Sequence, residues 1–234
     1  MNNHFNTNYT TYKFALAPLP YDYSDLEPFI DTETVREHHD VHAASYVSGL
    51  NDALAALPKF QRIPLDALQT TAMTSRLPRD AAADIVINSG GVYCHNLFFA
   101  MMQPYESEIE KLFITEPDTE SSRLVRSSFG SLTAFFQQIK SLALSVYGSG
   151  WVWLLAEGQR RGSPKLHIAA TENHTIPDLR RFVPLTCLDM WEHAYYHRYG
   201  ANKSDYVDGW CKLINWEKMD ARLRENKVQM RQTH

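Results

Sequence analysis

Two long stretches of helical periodicity, each closed by prolines, set the tightest limit on how this chain can fold. The first, TETVREHHDVHAASYVSGLNDALAAL, runs from Thr32 to Leu57, with Val35, His39, His42, Tyr46 and Leu50 recurring at helical spacing. Asp31 or Thr32 can cap its start, Glu33 suits the positive end of the helix dipole, and Pro58 and Pro64 end it. The second, RDAAADIVINSGGVYCHNLFFAMM, runs from Arg79 to Met102. A short helix and loop is expected over 65–76. Two long helices joined through a Pro-containing connection predict an antiparallel hairpin. Gly90-Gly91 lies inside the second helix, where each glycine costs about 1 kcal/mol relative to alanine. The pair therefore predicts a kink or a close approach by a neighbouring group.

Beyond the hairpin the pattern changes. Residues 103–122 are polar and acidic with two prolines, and read as a linker or surface excursion. A helix follows in SLTAFFQQIKSLALSVY, ended by Gly148-Ser149-Gly150. WVWLLAEG and KLHIAATEN read as alternating strands about a turn at RRGSP, and PLTCLDMW as a third strand. Two helices are expected from Ser204 to about Val228, anchored in the core by Trp210 and Trp216. The expected fold class is α+β. A loose extension (1–14) precedes an N-terminal antiparallel helical hairpin (15–103) and a linker (104–122). A C-terminal α/β domain with a three-stranded antiparallel sheet (123–234) completes the chain.

Composition excludes several function classes. At 44% apolar and 21% charged, the 234 residues suit a globular protein with a proper core. A net charge of -4 gives no basic face for nucleic acid, so any pull on an anion must be local. No apolar run is long enough to span a membrane, and the N-terminus lacks the charged start and apolar run of a secretory signal, so the cytoplasm is the default location. Cys94, Cys187 and Cys211 are widely spaced and form no CxxC pair, which argues against a disulfide framework or a thiolate zinc site. No phosphate cradle, GxSxG elbow or reactive cysteine is evident.

Three segments carry candidate chemistry. In EHHDVH (37–42), His38 and His42 share a helix face, a spacing that can hold a metal, while His39 points elsewhere. His95 follows the double glycine by about one turn, where small residues leave room for a bound group. LDMWEHAYY (188–196) sets Asp189, Glu192 and His193 among apolar and aromatic neighbours, and buried charges must be paired or bound to metal. Three imidazoles and a carboxylate drawn from both halves make a mixed nitrogen and oxygen set. Such a set suits iron, manganese, zinc or copper rather than calcium or magnesium.

These residues resemble the iron/manganese superoxide dismutases. LPYDYSDLEP, the HHxxH helix, the Gly-Gly pair before His95, GSGWVWL (148–154) and DMWEHAYY (189–196) stand in the family's order. The likeness spans about residues 14–223, with a longer stretch than usual between His95 and Trp151. It implies one iron or manganese ion per subunit held by His38, His95, Asp189 and His193, cycling between +3 and +2 as superoxide becomes dioxygen and hydrogen peroxide. It makes His42 a supporting residue rather than a ligand, Tyr46 a channel gate, and Trp151, Trp153 and Phe99 pocket walls. Glu192 and Tyr196 would bridge to a second subunit, implying a homodimer, with a tetramer as the alternative. The family's solvent-contacting glutamine is absent. Gly91 and His174 stand at its two usual positions, the first leaning toward manganese and the second leaving iron, manganese or both open. An imidazole at 174 predicts a pH-sensitive rate, the alternative being a ring locked as a neutral donor. Phe99 replaces a frequent tryptophan, and Val41 and Asn202-Lys203 reduce the usual positive charge, predicting weak substrate steering. The main alternative is a non-enzymatic structural or interaction relative, which would be expected to lose ligands. An oxygenase is less well served, because four protein ligands leave fewer open positions than a two-His-one-carboxylate triad.

Overall fold

The computed structural model describes residues 11–105, 117–158 and 163–232, with side chains to residue 224. Asp31 caps the first helix, its carboxylate accepting from the Thr34 backbone N–H (2.9 Å) and hydroxyl (2.7 Å). That helix is not uniform. α1 (Thr32–Glu37) passes through a π-helical segment (His38–Ala43) into α2 (Ala44–Leu54). The Ala44 N–H donates to the His39 carbonyl five residues back, the wide turn that often marks a functional site. α3 (Leu65–Thr74) and α2 both pack on α4 (Arg79–Ala100), completing the hairpin expected from periodicity.

Leu50, Leu54, Leu68 and Ile85 fill the space between these helices. Phe14 joins them, its backbone clasped by Asn51 through bonds of 2.8 and 2.9 Å. The chain is therefore anchored by Phe14, a residue earlier assigned to the loose extension; residues 1–10 lie outside the described part. α4 runs unbroken through the double glycine, so the close approach is the alternative realised. A methyl group on Gly90 would overlap the His174 carbonyl oxygen, and one on Gly91 would sit 2.5 Å from the Tyr46 ring.

The second half opens with α5 (Glu120–Phe129), which starts inside the stretch read as linker. Its few apolar residues hid it. Its stability comes from a Thr119–Ser122 capping box and from Asp220, whose carboxylate accepts from the Glu120 and Ser121 N–H groups. Most of the proposed linker, and most of the RRGSP turn, fall outside the described residues. α6 (Leu132–Leu144) follows, then β1 (Gly150–Glu157), β2 (Lys165–Glu172) and β3 (Phe182–Asp189) in the antiparallel order β2-β1-β3. β1 is central and buried on both faces, which explains its apolar run in place of the alternation read from sequence. Trp151, Trp153, Cys187 and Asp189 share one face of the sheet by register, and the Cys187 thiol meets the Cys94 carbonyl of α4 there.

After α7 (Tyr196–Tyr199), α8 (Lys203–Cys211) and α9 (Trp216–Gln232) close the fold on the buried Trp210 and Trp216. The halves are tied where α4 ends. Gln103 donates to the Leu213 carbonyl and Asn215 to that of Met101, both at 2.9 Å. No helix among the described residues is long and apolar enough to cross a membrane.

Candidate metal centre

Asp189 ends β3 opposite Trp151 at the start of β1, so the sheet fixes its backbone. The Tyr206 hydroxyl donates to its carbonyl (2.9 Å), and the Trp191 N–H donates to Oδ1 (2.8 Å). Oδ2 is left facing the helical half. The 3-10 turn Glu192–Ala194 folds back to set His193 Nε2 3.3 Å from that oxygen. His38, in the π-helical segment, brings its Nε2 to 3.1 Å from the same atom. On α4, His95 Nδ1 donates to the Gly91 carbonyl (2.7 Å), which leaves the Nε2 lone pair free to face the cluster.

These four ligand atoms lie within 4.8 Å of one another, and His38, His95 and Asp189 are at most 2% exposed. None of His38 Nε2, His95 Nε2, His193 Nε2 and Asp189 Oδ2 makes a hydrogen bond. A buried orphan of this kind costs about 1–3 kcal/mol, so four converging on one point need a common partner. Separations of 3.1 and 3.3 Å are those that bonds of about 2 Å to one ion leave between ligands. The donor set therefore fits a transition-metal ion. Charge favours it too. Burial pushes His38 down to about 4 and His95 well below its usual value, keeping their lone pairs available. Burial raises Asp189, but the imidazoles of His193 and His38 outweigh it and hold the carboxyl below the usual carboxylate range.

Aromatic rings enclose the cluster. Phe99 lies 5.0 Å and Phe98 5.3 Å from His38, while Trp151 is 5.3 Å from His95. Trp153 stands one step along the strand, its indole N–H donating to Thr171 Oγ1. Tyr46 sits 5.2 Å from His95, and burial followed by the Asp189 charge raises its hydroxyl to about 12. His42 is outside the four-atom group, stacked on His193 at 4.2 Å. Glu192 and Tyr196 are exposed.

His174 is 2% exposed, and its ring stacks on Trp191 at 4.5 Å. Trp151 Nε1 donates to its Nδ1 (3.2 Å), so the proton is on Nε2, which has no protein partner. Burial drives His174 to about 4, and a cation nearby would push the same way. Burial thus favours a neutral His174 that acts as a hydrogen-bond donor. A cleft of about 410 Å³ leads in past Gly148, Ser149, Trp191, Glu192 and Lys203 to His193. Lys203 and the oppositely charged Glu192 both line this cleft.

Sequence reasoning gave no role to Phe98, Trp191, Tyr206 or Gln69. Phe98 was detectable, since it lies three residues after His95 on the same helix face. Tyr206 and Gln69 reach the site only through tertiary contacts.

A buried centre of three imidazoles and one carboxylate, closed between a helical hairpin and a three-stranded sheet, defines a mononuclear transition-metal protein. Residues 13–103 match the family model for the alpha-hairpin domain of iron/manganese superoxide dismutases, and residues 117–222 match that for their C-terminal domain. The chain belongs to the iron/manganese superoxide dismutase family. It is 35% identical over 212 residues to "Superoxide dismutase [Mn] 1" of Leptolyngbya boryana, covering 90% of this chain and 80% of that one. It is 32% identical over 207 residues to "Superoxide dismutase [Mn] 2" of Bacillus anthracis (88% and 93% covered). With "Superoxide dismutase [Mn]" of Thermus aquaticus it shares 33% over 206 residues (88% and 95% covered).

Proposed function

We propose that this chain is a superoxide dismutase with one manganese ion per subunit, held by His38, His95, Asp189 and His193. The observation that carries the reading is the set of four buried donor atoms with no hydrogen-bond partner, converging from both halves. The same set disfavours a non-enzymatic relative, which would have no need to keep it. A bound ion supplies one-electron cycling, by which one superoxide is oxidised to dioxygen and a second is reduced, with two protons, to hydrogen peroxide.

The chain's own residues bind, orient and protonate. Lys203 on the cleft wall offers the anion a positive charge beside the negative one of Glu192, and His193 is the ligand the cleft reaches. Phe98, Phe99 and Trp151 exclude bulk water around the ligand atoms. Tyr46 keeps its proton well above neutral pH, and His174 keeps one on Nε2, so both serve as hydrogen-bond donors inside the pocket. His42 backs His193 by stacking. By the family resemblance Gly91 leans toward manganese, as do the names of the relatives, and the Tyr46 ring fills the space a side chain there would need. Exposed Glu192 and Tyr196 beside the site support a homodimer, and three free cysteines suit the reducing cytoplasm.

The test is elemental analysis of protein from its native host, followed by loading the metal-free chain with manganese or iron. Manganese in the native protein, with superoxide turnover restored by manganese, is the expected result. Iron in its place overturns the metal assignment. A loaded protein without turnover overturns the function.

A further inference from the structure

Gln69 lies on α3, outside every motif that pointed to the metal centre, yet its side chain is only 2% exposed. Nε2 donates to the Val86 carbonyl (2.9 Å) on α4 and to the His174 carbonyl (2.8 Å) in the second half. Oε1 accepts from the Ile176 N–H (2.9 Å). The orientation of the amide is unambiguous. Reversed, its oxygen would face two carbonyls and its NH₂ an N–H. One side chain on α3 thus joins α4 to the turn that carries His174.

The contact is close because Gly90 has no side chain. A methyl group there would overlap both the His174 carbonyl oxygen and Gln69 Nε2. Beyond this clasp the His174 ring is held by the Trp191 stack and the Trp151 N–H. Its edge meets the Tyr46 ring at 4.4 Å.

We infer that Gln69 is a positioning residue, clamping the 174–176 backbone from the helical half so that the His174 imidazole stays engaged with Trp151. The turnover consequence rests on the superoxide dismutase reading; the structural consequence does not.

Gln69→Met keeps most of the volume and removes all three hydrogen bonds. In metal-free protein, indole N–H exchange read by ¹⁵N NMR should quicken about tenfold at Trp151, the loss of roughly one hydrogen bond's protection. It should stay unchanged at Trp153, whose indole bonds Thr171 instead. In the manganese-loaded enzyme, kcat should fall in the wild-type background and not fall further in the His174→Ala background. If Gln69→Met does not fold, Gln69→Glu is used; it keeps the Ile176 contact, loses both donations and should move the Trp151 signal the same way. Equal quickening of both indoles, no quickening of either, or the same loss of kcat in both backgrounds overturns the inference. Absent turnover in the wild type with Trp151 exchange selectively quickened would overturn the functional reading instead, leaving the clamp standing.

Discussion

Both halves of the molecule carry candidate ligands four residues apart, His38 with His42 and Asp189 with His193. Only the second pair ends up wholly in the four-atom cluster. His38 and His42 lie in one π-helical segment, yet one imidazole joins the cluster while the other stacks on the His193 ring. Asp189 and His193 are joined by a strand end and a 3-10 turn, which folds the chain back on itself and brings both donors to one point. Equal spacing in sequence is therefore not equal geometry; the backbone between the residues decides.

The sharpest way to break this comparison is to remove one member of each pair. Asp189→Ala should reduce metal content to background in elemental analysis, since it deletes the only carboxylate of the set. His193→Ala should do nearly the same. His42→Ala should keep the metal while turnover drops about tenfold, the size expected for a residue that supports a ligand. Equal metal loss in His42→Ala and His193→Ala would erase the distinction.

Acid separates the pairs more gently. His38, with His174 beside the site, is held to about 4 by burial, below the value of about 6.5 in the unfolded chain. Between those values the unfolded state binds more protons, so stability of the metal-free protein falls as pH drops from about 6.5 to about 4. By pH 5 each group should cost roughly 2 kcal/mol, read as a lower urea midpoint than at pH 7. Asp189 behaves differently. Its folded value is depressed, so its contribution is full above about 3.9 and is lost only in stronger acid. Equal urea midpoints at pH 7 and 5 would contradict the assignment for the histidines.

The smallest effect tests the packing behind the helical ligands. Gly91→Ala forces a methyl group against the Tyr46 ring and should destabilise by about 1–3 kcal/mol. At about 2–4 °C per kcal/mol for a chain of this size, Tm should fall by several degrees. An unchanged Tm would mean that the ring moves aside freely.

The strand-side half of the centre was legible because its information is local. Nine residues, 188–196, hold an acid and a histidine that an apolar setting cannot bury unpaired. On the helical side the double glycine announced a close neighbour without naming it; the neighbours are Tyr46 and the His174 carbonyl. The π-helical segment left no trace in the periodicity, which fits an unbroken α-helix. α5 was hidden by its polarity, since its support comes from Asp220, a hundred residues away. Gln69 gave no signal either, because a lone glutamine on a short helix looks like any half-exposed polar residue until its three backbone partners are known.

The division of the ligands between the halves also sets an order in time. His38 and His95 leave the ribosome well before Asp189 and His193. Until β3 is made, the ligand set consists of two imidazoles without its carboxylate, a pair that suits zinc or copper as well as it suits iron or manganese. The one carboxylate of the set, Asp189, is thus made late in synthesis.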